Sequence, residues 1–385
     1  MLTLYKRNVN VDNVTQAEPS IAKLTSNVNL PGVLKDKYFF LCKDDIELPK
    51  GFFGYIVVDG NKELGAGLNN VLYLGDEFSY LDSGDVIRYN PTKPSITVLY
   101  RRTSPNNYFL ITERCNSYCL MCSQPPRDIQ DDYHVDDILQ TIPLIDRRTC
   151  EIGLSGGEPT LIGERLVHMI KQFRNHLPYT ALHVLTNGRL FSNHSYTQKF
   201  EGIEHPDCMF GVPLYSDSPE IHNYIVQAEN AFDETIKGIL NLKRFGQRVE
   251  IRVVVHRENY SRLRHLADFI GRNLTFIDQV VFMGLEPTGF AKANMKALWI
   301  DPYNYQVELR EAVEALDRYH IKTKIYNVQL CLLDETIAHK SVRSISDWKV
   351  EYDDECTSCV RSGECCGIFG TGTGKHSEHI VAFLK

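Results

Sequence analysis

At 385 residues, with 43% hydrophobic and 24% charged residues, the chain has a globular composition and enough length for two or three domains with a sizeable core. Its formal net charge of -7, with no Lys/Arg-rich run, argues against a nucleic-acid footprint of the phosphate-neutralising kind. No stretch of about 18 apolar residues occurs, and the start, MLTLYKRNVNVDNV, has no apolar signal core. Neither a membrane span nor export is therefore expected, and the cytoplasm is the default compartment.

Residues 1–103 read as a β-rich unit. The runs FFGYIVV, NVLYL, DVIRY and SITVLYR are divided by Asp59-Gly60, Ser83-Gly84 and the stretch Pro91 to Pro94. No motif there carries chemistry, and a packing or peptide-docking role is expected. From Tyr108 the pattern changes to strands alternating with amphipathic segments, which predicts an α/β unit with a parallel sheet over residues 104–320. Six strands begin at Tyr108, Glu151, Leu182, Met209, Val249 and Gln279. Helices are expected over Leu166–Asn175, Ala231–Phe245, Tyr260–Leu274 and Tyr303–Arg318. Residues 321–385 form a cysteine-rich extension.

In sheets of this type the chemistry lies on loops that follow the C-terminal strand ends. The loop after the first strand, RCNSYCLMCSQPPRD, places Cys115, Cys119 and Cys122 within eight residues as C-x3-C-x2-C. Three thiolates bind three irons of a 4Fe-4S cube and leave the fourth iron open. A structural zinc site would want a fourth ligand. Cys150 and Cys208 precede strands at the opposite end of the sheet, and His134 lies beyond the stiff Pro125-Pro126 pair, so iron-sulfur is the expected reading. Cys42, Cys150 and Cys208 are expected to be ordinary small core residues.

At these residues the chain resembles the radical S-adenosylmethionine (SAM) superfamily, whose loop is C-x3-C-x-aromatic-C. Met121 stands where the aromatic is usual. The resemblance implies a partial (β/α)6 barrel in which the open iron chelates SAM, and an electron from the cluster breaks a C–S bond to give a 5'-deoxyadenosyl radical. It further implies that Met121 helps seat adenine, that Gly156, Gly157 and Glu158 of the GGEP turn receive the SAM amino group, and that Ser216 contacts the ribose. A plain turn for GGEP, and a helix cap before Pro219 for Ser216, are the structural alternatives.

The fifth strand alternates Val249, Ile251, Val253 and Val255 with Glu250, Arg252 and His256. Its polar face is expected to point into the barrel mouth. There Arg252 binds the SAM carboxylate or pairs with Glu250 or Glu286, and His256 and Glu286 are the candidates for taking a proton. A second group follows, Cys331 with Cys356, Cys359 and Cys365, and Cys366 as the alternative to Cys365. Four thiolates complete a metal site that is either zinc or iron-sulfur. The tail GIFGTGTGKH lacks P-loop spacing, since His376 and not Ser or Thr follows Lys375, and it reads as a flexible crossing.

The set TERCNSYCLMCSQPP, LSGGEPT, VLTNGR, FMGLEPTGFAKANM, NVQLCLL and ECTSCVRSGECCG, over about residues 80 to 370, resembles the C-type radical SAM maturase of the His-Xaa-Ser peptide system. This implies modification of a ribosomal precursor peptide with His-Xaa-Ser repeats, a partner radical SAM maturase, and an electron donor such as flavodoxin or ferredoxin. It also favours an auxiliary iron-sulfur cluster at the second cysteine group. A radical SAM enzyme acting on a small metabolite and a non-catalytic metal protein are the competing readings.

Overall fold

A computed structural model describes the chain apart from residues 1, 44–46, 61, 66, 373 and 385, and the side chains of 62 and 63. The β-rich unit is one eight-stranded sheet of β1 (Tyr5–Arg7), β2 (Asn10–Asp12), β3 (Ser20–Thr25), β4 (Tyr38–Cys42), β5 (Gly54–Val58), β6 (Val71–Leu74), β7 (Val86–Asn90) and β8 (Ser95–Tyr100), with a single-turn helix α1 (Gly32–Lys35). Its order is β1-β8-β7-β3-β4-β5-β6-β2. Only Asn8 and Val9 separate the two edge strands along the chain, so the sheet has to curl until its edges meet. The inner face buries Leu24, Phe39, Ile56, Leu72, Ile87 and Ile96, while Phe40, Tyr55, Val57 and Val71 pack on the outer face with Leu48 and Phe52. With both faces covered, β4 reads FFLC with no alternation, which is why the sequence pattern does not announce it.

The second unit is an open eight-stranded sheet in which strand order is chain order and every pairing is parallel. Its strands are β9 (Asn107–Leu110), β10 (Glu151–Ser155), β11 (Ala181–Leu185), β12 (Cys208–Pro213), β13 (Arg248–Val255), β14 (Gln279–Gly284), β15 (Thr323–Tyr326) and β16 (Ser341–Val342). The first six are those expected. β15 and β16 extend the count to eight; β16, of two residues, is too short for periodicity to reveal, while β15 is as long as β9 and is not among those expected. The helices are α2 (Tyr133–Thr141), α3 (Glu164–His176), α4 (His194–Gln198), α5 (Pro219–Val226), α6 (Ala231–Arg244), α7 (Leu263–Asn273), α8 (Gly289–Ala293), α9 (Met295–Leu298) and α10 (Gln306–Arg318). Val249, Ile251, Val253 and Val255 join the same core as Leu263, Leu266 and Ile270 of α7. Each such side chain contributes about 1.5–3 kcal/mol through burial.

The sheet curves into a partial barrel whose edges, β9 and β16, are bridged by Asp347. That carboxylate accepts from Arg101 Nη1 (3.0 Å) and Ser104 Oγ (3.1 Å), and the Asp347 amide donates to Asn106 Oδ1 (3.2 Å). A small hairpin, β17 (Val350–Glu351) with β18 (Ile368–Phe369), follows. The expected flexible crossing is instead tied down at its start, where Gly370 N donates to Lys349 O (2.8 Å) and Thr371 Oγ1 to Glu286 (2.8 Å). Cys42 and Cys208 are buried as expected, but Cys150 is exposed because it precedes β10 outside the sheet. Among the described residues no helix is long and apolar enough to cross a membrane.

Candidate functional site

The cysteine loop is held from every side through its backbone. α5 ends at Gln227 in the left-handed conformation, leaving last-turn carbonyls without helical partners. Loop amides take them: Leu120 N donates to Ile225 O (2.9 Å) and Tyr118 N to Val226 O (3.2 Å). On the other side Phe290 N donates to Cys122 O (2.8 Å) and Asn294 Nδ2 to Leu120 O (2.9 Å). The TNGR turn after β11 adds Arg189, which donates to Asn116 O and to Ser117 Oγ (3.0 Å), and Asn187, which donates to Asn116 Oδ1. Asp131, fully buried, accepts from Thr112 Oγ1 (2.9 Å), Glu113 N and Arg114 Nε (3.1 Å). Asp131 has no sequence signature, and Arg189, although it ends the VLTNGR run, has partners that only the fold brings beside it.

The two glycines of the GGEP turn serve packing first. A Cβ on Gly156 would overlap Thr112 O and one on Gly157 would overlap Arg114 O, because Gly157 N donates to Thr112 O (2.7 Å) and Glu158 N to Arg114 O (2.8 Å). The close approach is to the cysteine loop, so these amides are already used. Glu158 is corrected likewise. Its carboxylate is fully buried and accepts from Thr160 N (2.9 Å), Thr160 Oγ1 (2.6 Å), Thr186 Oγ1 (2.6 Å) and Asn187 N (2.6 Å), joining the loops after β10 and β11. Its side chain therefore does not face a ligand space.

Cys115, Cys119 and Cys122 are partly buried. Burial first, and then Glu158 and the Cys122 thiol, push Cys115 up to about 11, and burial with the Cys122 and Cys115 thiols pushes Cys119 up to about 12. Among the described residues no three His, Cys, Asp or Glu side chains come together closely enough for a single metal ion. A donor set of three soft thiolates spread along one loop, with no carboxylate or imidazole, fits a polynuclear iron-sulfur group better than one hard ion.

Beside this loop lies a cavity of about 530 Å³ that runs down the barrel interior. Ser123, Gln124, Ser155, Gly156 and Glu286 line it near the loop, and Tyr108, Glu151, His183 and Tyr326 line it deeper. Arg252 faces it too. Of the alternatives open for Arg252, the structure forms the internal pair: Nη1 donates to Glu250 (2.6 Å), while Glu286 pairs with Lys349 (2.9 Å). Gly211 gives the Arg252 side chain room, since a Cβ there would lie 2.9 Å from Arg252 Cδ. Burial alone would push the Glu250 carboxyl up. The His183 ring, with Nε2 3.2 Å from Oε1, the Arg252 charge and the Gln279 amide outweigh it and hold the group down at about 2.

Three expected site residues lie away from this cavity. His256 is fully buried and does not line it; its Nδ1 accepts from Glu258 N (3.3 Å), and burial lowers it to about 4. The chain has already turned at His256, which ends its placement at the mouth. Ser216 is buried, and its Oγ accepts from Ser218 N (3.1 Å); the cap of α5 is Ser218, not Ser216. Met121 packs with Tyr215, Ile225, Ala291 and Leu298 beneath the loop.

The second cysteine group gathers around one small cavity, likewise without single-ion spacing among the described residues. Cys331, Cys356, Cys359 and Cys365 line one cavity of about 20 Å³, whereas Cys366 is buried with Ile345 and Phe369. The Cys366 thiol, with the Gly367 and Leu330 amides, outweighs burial and holds Cys365 down at about 6.

Residues 109–270 match the family model of the Radical SAM superfamily. No curated protein matches the chain. Among solved structures, Streptococcus suis SuiB bound to S-adenosylmethionine is similar at 16% identity over 58% of this chain and 51% of that chain, with a TM-score of 0.45. The structure of anSMEcpe with bound AdoMet and Cp18Cys peptide is similar at 16% identity over 57% and 62%, with a TM-score of 0.44. A radical SAM methyltransferase from Sphaerobacter thermophilus follows at 13% identity over 63% and 72%, with a TM-score of 0.44. The chain spans about half the length of the SuiB structures it matches. Residues 109–270 are thus a radical SAM superfamily domain, and such a domain implies a 4Fe-4S cluster and S-adenosylmethionine as cofactors.

Proposed function

We propose that the chain is a radical SAM enzyme that modifies a ribosomal peptide. The observation that carries this is a three-thiol loop, clasped at the C-terminal strand ends of a parallel partial barrel, next to a cavity of about 530 Å³. Cys115, Cys119 and Cys122 would hold three irons. The bound cofactors supply one-electron cleavage of SAM and a 5'-deoxyadenosyl radical for hydrogen-atom abstraction from substrate. Gly156 and Gly157 would receive the SAM amino group through their carbonyls, Arg252 would offer its remaining N–H donors to a carboxylate, Met121 would help seat adenine, and Ser216 would contact the ribose. Glu286, held by Lys349 and Thr371 in the cavity wall, is the group placed to take a proton.

Residues 1–103 serve peptide docking, 104–320 the radical chemistry, and 321–385 a second metal centre held by Cys331, Cys356, Cys359 and Cys365. The sequence resemblance supports a precursor peptide with His-Xaa-Ser repeats, a partner maturase and a flavodoxin- or ferredoxin-type donor, and it favours iron-sulfur over zinc in the second centre. The test is anaerobic reconstitution with iron and sulfide, followed by dithionite and SAM, measuring 5'-deoxyadenosine beside Cys119→Ala. Production that vanishes in the variant is expected. No production from a fully loaded chain, with the peptide and partner present, would favour a non-catalytic metal protein. Turnover of a small metabolite in place of the peptide would replace the substrate class.

A further inference from the structure

The second cysteine group sits in a telling place in the chain. Cys356, Cys359 and Cys365 all lie on the connection from Tyr352 to Gly367, which joins β17 to β18. The hairpin itself is only two residue pairs, Val350 with Phe369 and Glu351 with Ile368. So short a hairpin with so long a connection does not stand alone in water, because loop closure costs more than two pairs return. Yet this hairpin carries part of the cavity wall: Trp348, Lys349 and Phe369 line the cavity of about 530 Å³. Lys349 Nζ donates to Glu286 (2.9 Å), Gly370 N to Lys349 O (2.8 Å) and Thr371 Oγ1 to Glu286 (2.8 Å). The fourth thiol, Cys331, belongs to the barrel side, following β15. Gln329 Nε2, two residues before it, reaches across to Gly367 O (2.7 Å).

We propose that metal held by Cys331, Cys356, Cys359 and Cys365 is a clamp that fastens the hairpin connection to the barrel and so builds the cavity wall of Trp348, Lys349 and Phe369. Lys349 and Phe369 then become specificity-determining residues for the substrate, correctly placed only when the clamp is loaded. Metal binding and local folding are one equilibrium here, since the ligand set exists only when the connection is closed. The inference rests on the second-centre part of the function proposed above, but not on cleavage of SAM.

Hydrogen exchange on the full chain tests it. The reconstituted protein is compared with a Cys356→Ser/Cys359→Ser variant, and with wild type after chelator treatment should the variant fail to fold. Protection of the amides from Lys349 to Thr371 is expected to fall at least 100-fold, while that of β10 to β13 stays unchanged. Metal analysis accompanies it: iron or zinc retained by Cys119→Ala reports the second site, and iron retained by the double variant reports the first. Unchanged protection after metal loss overturns the clamp, as does a second site that binds no metal. An empty first loop with a loaded, protecting second site leaves the clamp standing and removes the radical SAM function instead.

Discussion

Glu158→Gln separates a structural carboxylate from a ligand-binding one. Burial pushes the Glu158 carboxyl up from its usual range, while the bonds from Thr160 N, Thr160 Oγ1, Thr186 Oγ1 and Asn187 N pull it the other way. A glutamine oxygen at the Oε1 position keeps the three bonds from Thr160 and Thr186 in weaker, neutral form. Its amide then meets the Asn187 N–H, donor against donor, in a fully buried place. Losing the bond from Asn187 N and leaving two buried donors unpaired costs about 3–5 kcal/mol. At about 2–4 °C per kcal/mol, the melting temperature drops by roughly 6–20 °C. Thr186→Val, which removes a single donor, costs about 1–2 kcal/mol. The two changes combine less than additively, because they share one bond. Thermal melts of the metal-free chain are the assay. A Glu158→Gln variant that melts within about 1 °C of wild type, yet loses SAM affinity by calorimetry, would refute the structural role and restore the carboxylate to ligand binding.

Gly157→Ala forces a methyl group into Arg114 O, so the variant is expected to purify with less than half the wild-type iron in the first loop, read by iron analysis in a Cys356→Ser/Cys359→Ser background. Cys365→Ala should empty the second centre, whereas Cys366→Ala should keep its metal and lose about 1–2 kcal/mol of core packing, as checked by metal content and urea unfolding. Glu250 sets an acid limit. Its carboxyl is held down at about 2 from its ordinary value of 4.5 in the unfolded chain, so its contribution is present above about pH 4.5 and is lost as pH falls towards 2. That contribution is on the order of 3 kcal/mol. Glu250→Gln should flatten the pH dependence of stability in that window, and an unchanged slope would count against the network.

The chemistry-bearing parts were legible from residue order because they are local. Three cysteines within one short loop, glycines at a strand-to-helix turn and a valine face on β13 all express themselves at short spacing, and the first six strands of the barrel follow the same rule. Single functions assigned to single side chains fared differently. Whether Arg252 meets Glu250 or Glu286, whether Glu158 faces a ligand or Thr186, and whether His256 reaches the mouth depend on where the loops after different strands come to rest. Asp131 and Asp347 hold the site together through partners that are distant along the chain or shared among several loops, so no motif marks them, and VLTNGR marks Arg189 without naming its partners. Sequence by itself therefore determined the spacing of the loop cysteines and the order of the first six strands, since both are written in nearest-neighbour spacing. Only the tertiary structure decided which polar groups spend their hydrogen bonds on one another and which still face the cavity, because a buried donor or acceptor takes whatever partner the packing of the whole chain leaves within reach.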